Sequence, residues 1–274
     1  DVNPQTIPHK EKDWVDIIFD IRQNSKVYLE KINIFGNIKT RDKVIRRELG
    51  IVEGELYSLS AMKKSREKLN SLGYFKEANL TPKKGSAEDK LDVDIQVEEA
   101  PTGSFSVGGG YSSIDKFMGV LSISQNNLLG RGQKLFASAQ MGAVSQYFNL
   151  GFFEPWLFDT KVSFGADLYK TYRDYDTYVV ERTPGGAFRF GFPLFEEVRL
   201  TTGYRYERVK IKDVLDTAST IIKNSVGLST TSVVNLGLRR DTRNHWFDPT
   251  GGSDLGIYLD YAGGPLGGED RKST

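Results

Sequence analysis

The chain has no cysteine among its 274 residues, which excludes a disulfide framework and a thiolate metal site. Histidine is scarce as well. His9 falls in a polar leader and His245 in a turn, with no His-x-x-His spacing, so no metal site is expected. No nucleophile, acid or base stands in a recognisable constellation, and the expectation is a protein that is not an enzyme and uses no cofactor. The net charge of +1 comes without a basic stripe, which argues against a nucleic-acid partner. No run of about 18 apolar residues occurs, so no helix is expected to span a membrane. The start, Asp1-Val2-Asn3-Pro4, lacks the basic segment and apolar core of a signal peptide, and a mature or excised piece is expected.

What is present divides near residue 100. Residues 1–100 hold 36 of the 73 charged residues and 5 of the 28 glycines, whereas residues 101–274 hold 23 glycines and 25 of the 32 aromatics. That break predicts a soluble, charged domain followed by a Gly- and aromatic-rich one. In the second part, apolar residues recur at every second position. Val162, Phe164, Ala166 and Leu168 alternate with Ser163, Gly165 and Asp167; Phe188, Phe190 and Phe192 alternate with Arg189 and Gly191. Leu255, Ile257, Leu259 and Tyr261 repeat the pattern against Asp254, Gly256, Tyr258 and Asp260. Such alternation is the period of a pleated strand. The runs approach the roughly 9–11 residues that a tilted strand needs to cross a bilayer, and exceed the about 5–6 usual in soluble sheets. Charged residues and glycine on the polar face suit a water-filled lumen. The reading is an antiparallel transmembrane β-barrel, or part of one. Nine strands are expected, near 102–112, 117–126, 133–142, 146–154, 161–172, 178–193, 198–211, 230–242 and 253–262.

The soluble half reads as β-α-α-β-β over residues 27–100. A strand from Val27 ends at the Gly36-Asn37 turn; Thr40 is placed to cap a helix that carries Val44, Ile45 and Leu49 inward and closes at Gly50. Ser58 caps a second helix with Leu59, Met62, Arg66 and Leu69 at helical spacing, ended by Gly73. Strands follow at about Phe75 to Pro82 and Leu91 to Glu98. Val15-Asp16-Ile17-Ile18-Phe19-Asp20 matches Val93-Asp94-Ile95-Gln96-Val97-Glu98, so residues 1–26 are expected to hold the end of a preceding copy.

Two stretches resemble a known family, the BamA-type outer-membrane β-barrel assembly proteins. Ile34-Phe35-Gly36-Asn37, Ile45-Arg46-Arg47-Glu48-Leu49, Glu53-Gly54 and Leu69-Asn70-Ser71-Leu72-Gly73-Tyr74-Phe75 are similar to the membrane-proximal polypeptide-transport-associated (POTRA) domain. Thr102-Gly103-Ser104-Phe105-Ser106-Val107-Gly108-Gly109-Gly110-Tyr111 is similar to the first barrel strand, with Asn126-Asn127-Leu128-Leu129-Gly130, Glu154-Pro155-Trp156-Leu157-Phe158 and Gly191-Phe192-Pro193-Leu194 following in order. The resemblance implies an α+β POTRA domain at 27–100 and, at 101–274, about nine strands of a sixteen-strand barrel. It also implies an outer-membrane location with the POTRA domain in the periplasm. The implied activity is assembly and insertion of β-barrel proteins without ATP, with unfolded outer-membrane proteins, accessory lipoproteins and the lipid bilayer as partners.

The site residues follow from strand chemistry and that resemblance together. Glycine weakens a strand by roughly 0.5–1 kcal/mol relative to Ala, so Gly108, Gly109 and Gly110 make a soft edge. An open edge templates another strand. Residues Ser104, Phe105, Ser106, Val107, Gly108, Gly109, Gly110 and Tyr111 are the expected client-pairing edge, although many barrels carry glycines of no such significance. Phe75, Ala78 and Leu80 mark a second edge on the soluble module. Arg46 and Glu53 match positions that dock an accessory lipoprotein in the family; from the residues alone they are exposed charges after a helix start. Trp156, Phe158, Trp246 and Phe247 cluster at the strand ends on the module's side, as an aromatic girdle would. The cluster Arg239-Arg240-Asp241-Thr242-Arg243 reads as lumen and turn charges that pair with one another. A polypeptide-secretion channel or a passive pore of the same architecture remains the alternative, and a soluble β-domain with an interaction module is a third reading.

Overall fold

The computed structural model describes residues 2–8, 15–21, 26–244 and 248–263. It divides into two compact units, with the boundary between Ala100 and Pro101.

In the first unit, β1 (Val2–Pro8) and β2 (Val15–Ile21) form an antiparallel pair in register from Val2↔Ile21 to Pro8↔Val15. The module proper runs β3 (Tyr28–Phe35), α1 (Asp42–Arg46), α2 (Leu59–Ser71), β4 (Phe75–Lys84) and β5 (Lys90–Glu99). Its sheet order is β3-β5-β4, with β3 parallel and β4 antiparallel to the central β5. The alternation Leu91, Val93, Ile95, Val97 puts three fully covered side chains of β5 against the helices, and Leu29, Val44, Ile45, Met62, Leu69 and Phe75 complete the core.

Two helix expectations are corrected. Arg41, not Thr40, is the N-cap of α1, and its side chain makes no capping bond. The Thr40 amide instead donates to Glu99 Oε1 at 2.6 Å, which anchors the turn to β5 before the helix starts. In α2 the inward face is Met62, Ser65 and Leu69, while Leu59 is 68% exposed. Ser65 takes the place expected of an apolar residue because its hydroxyl accepts the Gly50 amide at 2.8 Å and donates to the Ala61 carbonyl. Ser58 does cap α2, accepting from the Ala61 amide. Gly36 stands at φ +87°, where a side chain would also collide with the Val97 carbonyl.

The second unit is one meandering antiparallel sheet. Its nine strands are β6 (Gly103–Ser112), β7 (Lys116–Leu128), β8 (Gln133–Met141), β9 (Ser145–Glu154), β10 (Ser163–Asp174), β11 (Val179–Pro193), β12 (Val198–Lys212), β13 (Gly227–Asp241) and β14 (Asp254–Ala262). Each pairs with its sequence neighbours, and β6 and β14 lie at the two edges of the described sheet. All nine expected strands are present within a few residues of their expected ends. The longest connection, residues 213–226, carries the short helix α3 (Thr220–Lys223). No described helix is long and apolar enough to cross a membrane.

The faces separate as the alternation requires. Phe164 opposes Phe190, and Ala166 opposes Phe188, which opposes Tyr204. Ile257, Leu238 and Leu168 on this side are 68%, 44% and 58% exposed. On the other side Arg189 holds Asp167 at 2.8 Å, and the Tyr169 hydroxyl donates to Glu207 at 2.9 Å. Large exposed apolar side chains over ion pairs are the inverse of a water-soluble sheet, and fit lipid outside and water inside.

Candidate functional site

Among the described residues, strand β6 pairs with β7 alone. Its register runs from Gly103↔Gln125 to Ser112↔Lys116, and the Asn126 amide donates to the Thr102 carbonyl at 2.9 Å. That bond fixes the phase of the ladder. In an antiparallel pair, alternate residues exchange both of their bonds with the partner strand. Residues 104, 106, 108, 110 and 112 therefore bond to β7, while Gly103, Phe105, Val107, Gly109 and Tyr111 direct their N–H and C=O groups to the edge. The expected edge of 104–111 is thus narrowed to its four odd-numbered residues, with Gly103 added before them. Their side chains also face outward: Phe105, Val107 and Tyr111 are 64%, 70% and 66% exposed. Ser104 and Ser106 belong to the opposite face, where the Ser104 hydroxyl meets that of Ser124 at 2.7 Å.

The three consecutive glycines of β6, Gly108 to Gly110, are not explained by close packing, and the tightest of them, Gly109, would bring a Cβ to 3.4 Å from the Met118 carbonyl. A Cβ on Gly108 would meet nothing within 4 Å, and one on Gly110 would come no nearer than 3.7 Å, to Met118. Two glycines elsewhere in the sheet are seats for rings: a side chain at Gly151 would collide with Phe136, and one at Gly185 with Tyr169. What remains for Gly108, Gly109 and Gly110 is their effect on the backbone, a strand that costs little to bend or part.

The edges of the soluble module differ from this. Phe75 and Ala78 on β4 are buried in the core and Leu80 packs against it, so these three expected residues contribute backbone rather than side chains. The Ala78 amide, which points away from β5, is taken by Asn70 Oδ1 of α2 at 2.8 Å. Pro82 has no N–H to offer. By alternation the Leu80 amide is the one outward donor left between Ala78 and Pro82. The pairing edge expected at Phe75–Leu80 is therefore much narrower than its length suggests.

The opposite edge, β3, is interrupted too. Segment 54–57 bonds to its first half, through Leu29 N to Glu55 O at 2.9 Å and Tyr57 N to Val27 O at 2.8 Å. Arg46 and Glu53 cover its middle: Glu53 Oε1 accepts the Ile32 amide at 2.9 Å, Arg46 Nη2 donates to the Ile32 carbonyl at 2.7 Å, and the pair meet at 3.2 Å. These residues are not unattached surface charges; together they hold both backbone groups of one residue. The Ile32 amide and the Arg46 guanidinium hold the Glu53 carboxyl below its ordinary range despite an opposing desolvation cost. Both side chains still show 42% and 47% of their surface.

Of the expected girdle, Trp156 is half-buried and Phe158 is 89% exposed, in the turn between β9 and β10. Trp246 and Phe247 lie outside the described residues. The same end of the sheet carries Leu129 and Phe195, 73% and 74% exposed, which were not among the expected residues; an apolar residue inside a four-residue turn was the available signal. The charge cluster at 239–243 pairs within itself only in part: Arg243 holds Asp241 at 2.6 Å, while Arg239 pairs with Asp254 on β14 and Arg240 with Glu197 at 3.4 Å. Among the described residues no group of three or more His, Asp or Glu is placed to hold a metal ion.

Comparison with known proteins places both units. A family model described as the Omp85 superfamily domain matches residues 127–273, and a POTRA model, described as a surface antigen variable number repeat, matches residues 27–100. The chain is 32% identical over 270 residues, 98% of its length, to the outer membrane protein assembly factor BamA of Nitratidesulfovibrio vulgaris, and 30% identical over 257 residues, 93% of its length, to that of Neorickettsia risticii. It spans 34% of each of these relatives, about a third of their length. In fold it is similar to the crystal structure of BamA from Haemophilus ducreyi lacking POTRA domains 1-3, with TM-score 0.71, 24% identity, and coverage of 96% of this chain and 53% of that one.

Proposed function

The chain belongs to the Omp85 superfamily, and from that premise we propose that it is the part of an outer-membrane β-barrel assembly factor that receives and templates a client strand. The protein resides in the outer membrane, with its POTRA domain in the periplasm. The clients are unfolded outer-membrane proteins. A terminal client strand pairs with the outward N–H and C=O groups of Gly103, Phe105, Val107, Gly109 and Tyr111. In hydrocarbon each unpaired backbone group costs several kcal/mol, so strand addition at this edge is strongly favoured without nucleotide hydrolysis. Gly108, Gly109 and Gly110 let β6 part from its closing partner to admit the client. The exposed flanks of Arg46 and Glu53, already rigid through Ile32, are where an accessory lipoprotein docks.

The observation that carries this reading is the contrast of edges. Five consecutive outward positions on β6 carry no proline and no capping side chain among the described residues, whereas both edges of the module are interrupted by side chains or by segment 54–57. The test is a pair of proline substitutions in the full-length protein. Val107→Pro removes an outward donor and leaves the β7 ladder complete; Ser106→Pro removes a ladder donor and leaves the outward set intact. With both variants folded by heat-modifiability on gels, Val107→Pro is expected to lower client insertion into liposomes by about tenfold, the order of one lost buried hydrogen bond. Unchanged insertion by Val107→Pro would reject the edge as the template.

A further inference from the structure

The outward face of the barrel sheet has a slot in it. Ala137 and Ala139 on β8 form a floor between Leu121 and Ile123 on β7 and Leu150 on β9, a shallow open groove of about 400 Å³. The register explains the depression. Ala137 lies between Ile123 and Leu150, and Ala139 between Leu121 and Phe148, so a methyl group stands in two successive rows of large side chains. The volume falls within the roughly 300–1,000 Å³ of small-molecule sites, and the walls are hydrocarbon.

One end of the slot is charged. Lys170 opposes Phe148 in register and lines the slot at the end of the sheet away from Gly103. Beyond it, still on the outward face, Glu181 is shared by Lys170 at 3.5 Å and Lys212 at 3.3 Å, and the Lys212 ammonium lies 5.9 Å from the centre of the Tyr172 ring. Lys210 opposes Glu181, and Arg208 bonds the Tyr206 hydroxyl at 3.1 Å. Lys170 and Lys212 share the one carboxylate, and Lys210 and Arg208 follow on β12, which leaves an excess of positive charge beside the Lys170 end of the slot. A cation on a lipid-facing surface is stable where its head reaches the headgroup level. A purely solvating annulus of chains needs no such charge.

We propose that this groove is a binding site for an anionic lipid, one acyl chain lying over Ala137 and Ala139 and the phosphate held by Lys170 and Lys212. The site is separate from the β6 edge and does not depend on the client-pairing role. The phosphate displaces Glu181 as the partner of at least one lysine, and Tyr172 and Tyr206 flank it at the interface. The lipid ties β7 to β10 across the strands next to the edge.

The test uses the full-length protein in phosphatidylcholine nanodiscs containing a minor fraction of photoreactive phosphatidylglycerol. Cross-linking to β7–β10 peptides is expected to exceed that of an equally diluted photoreactive phosphatidylcholine. Lys170→Gln and Lys212→Gln are expected to lower the excess about fivefold each, the order of one juxtamembrane cation near an anionic lipid. Ala139→Leu, an outward substitution into open space, is expected to abolish the excess while heat-modifiability confirms the fold. Equal labelling by the two lipids, or an excess that survives both Lys170→Gln and Ala139→Leu, overturns the proposal. Displacement of the lipid by inorganic phosphate alone also overturns it, since the site would then bind an anion and not a lipid.

Discussion

Glu53 shows how a single carboxylate can close a strand edge, because it accepts the Ile32 amide and the Arg46 guanidinium at once. Two other carboxylates of the module work in the same way. Glu30 takes the Ser86 amide and hydroxyl, each at 2.8 Å, and lies below its ordinary range chiefly through that amide. Burial pushes the Glu99 carboxyl up, but bonds from Thr40 and Lys39 outweigh it and leave it lowered. Each folded-state value is depressed, so each contributes stability that is complete above the unfolded glutamate pKa of about 4.3 and is lost as pH falls through the lower folded value. The urea midpoint of residues 26–100 is therefore expected to be flat from neutral pH to about pH 5 and to fall below about pH 4.5. Glu30→Gln, Glu53→Gln and Glu99→Gln combined are expected to remove most of that acid limb. A limb of the same depth in the triple variant would assign acid sensitivity to other groups. None of these contacts was legible in the sequence, since they join residues far apart in the chain, such as Glu99 to Thr40.

At the scale of the strand, the sequence was a better guide. Nine strands, and the apolar side of β10, β11 and β14, followed from period-two alternation, which side-chain direction alone enforces. Helix α2 was read less well: Ser65 occupies a core position for the sake of a hydrogen bond, and no hydrophobicity pattern signals that. The glycines illustrate both outcomes. Their abundance was plain, but which ones seat a ring and which leave open space depends on cross-strand neighbours. This difference has a measurable consequence. Gly108→Ala and Gly110→Ala meet open space and are expected to leave the folded, heat-modifiable fraction unchanged while stiffening β6 by roughly 0.5–1 kcal/mol each. Client insertion then slows. Gly151→Ala drives a methyl into the Phe136 ring and is expected to lower the folded fraction itself. If the β6 variants misfold and Gly151→Ala does not, the assignment of open and filled positions is wrong.

For the molecule as a whole, the two units treat their edges in opposite ways, and that opposition predicts where a client goes. In water an open edge invites aggregation, and the POTRA sheet covers its own with Asn70, Pro82, Arg46, Glu53 and segment 54–57. In lipid an unpaired edge is unstable, which makes it a strong acceptor for a strand of matching length. These 274 residues contain no cysteine, so single cysteines placed along β6 and β4 meet no competing thiol from this part of the protein. A client carrying one cysteine in its terminal strand is expected to form disulfides along residues 104–111 with a two-residue period, because only alternate pairs bring Cβ atoms to bonding distance. Moving the client cysteine by two residues should move the preferred β6 position by two. Cysteines at Leu80 and Lys83 are expected to react at least tenfold less, since β4 offers one outward amide there against five on β6, and each hydrogen bond contributes about 1 kcal/mol. Cross-linking that is as strong at β4, or that shows no period on β6, would mean that clients are held by their side chains in the lumen and not by backbone pairing at the edge.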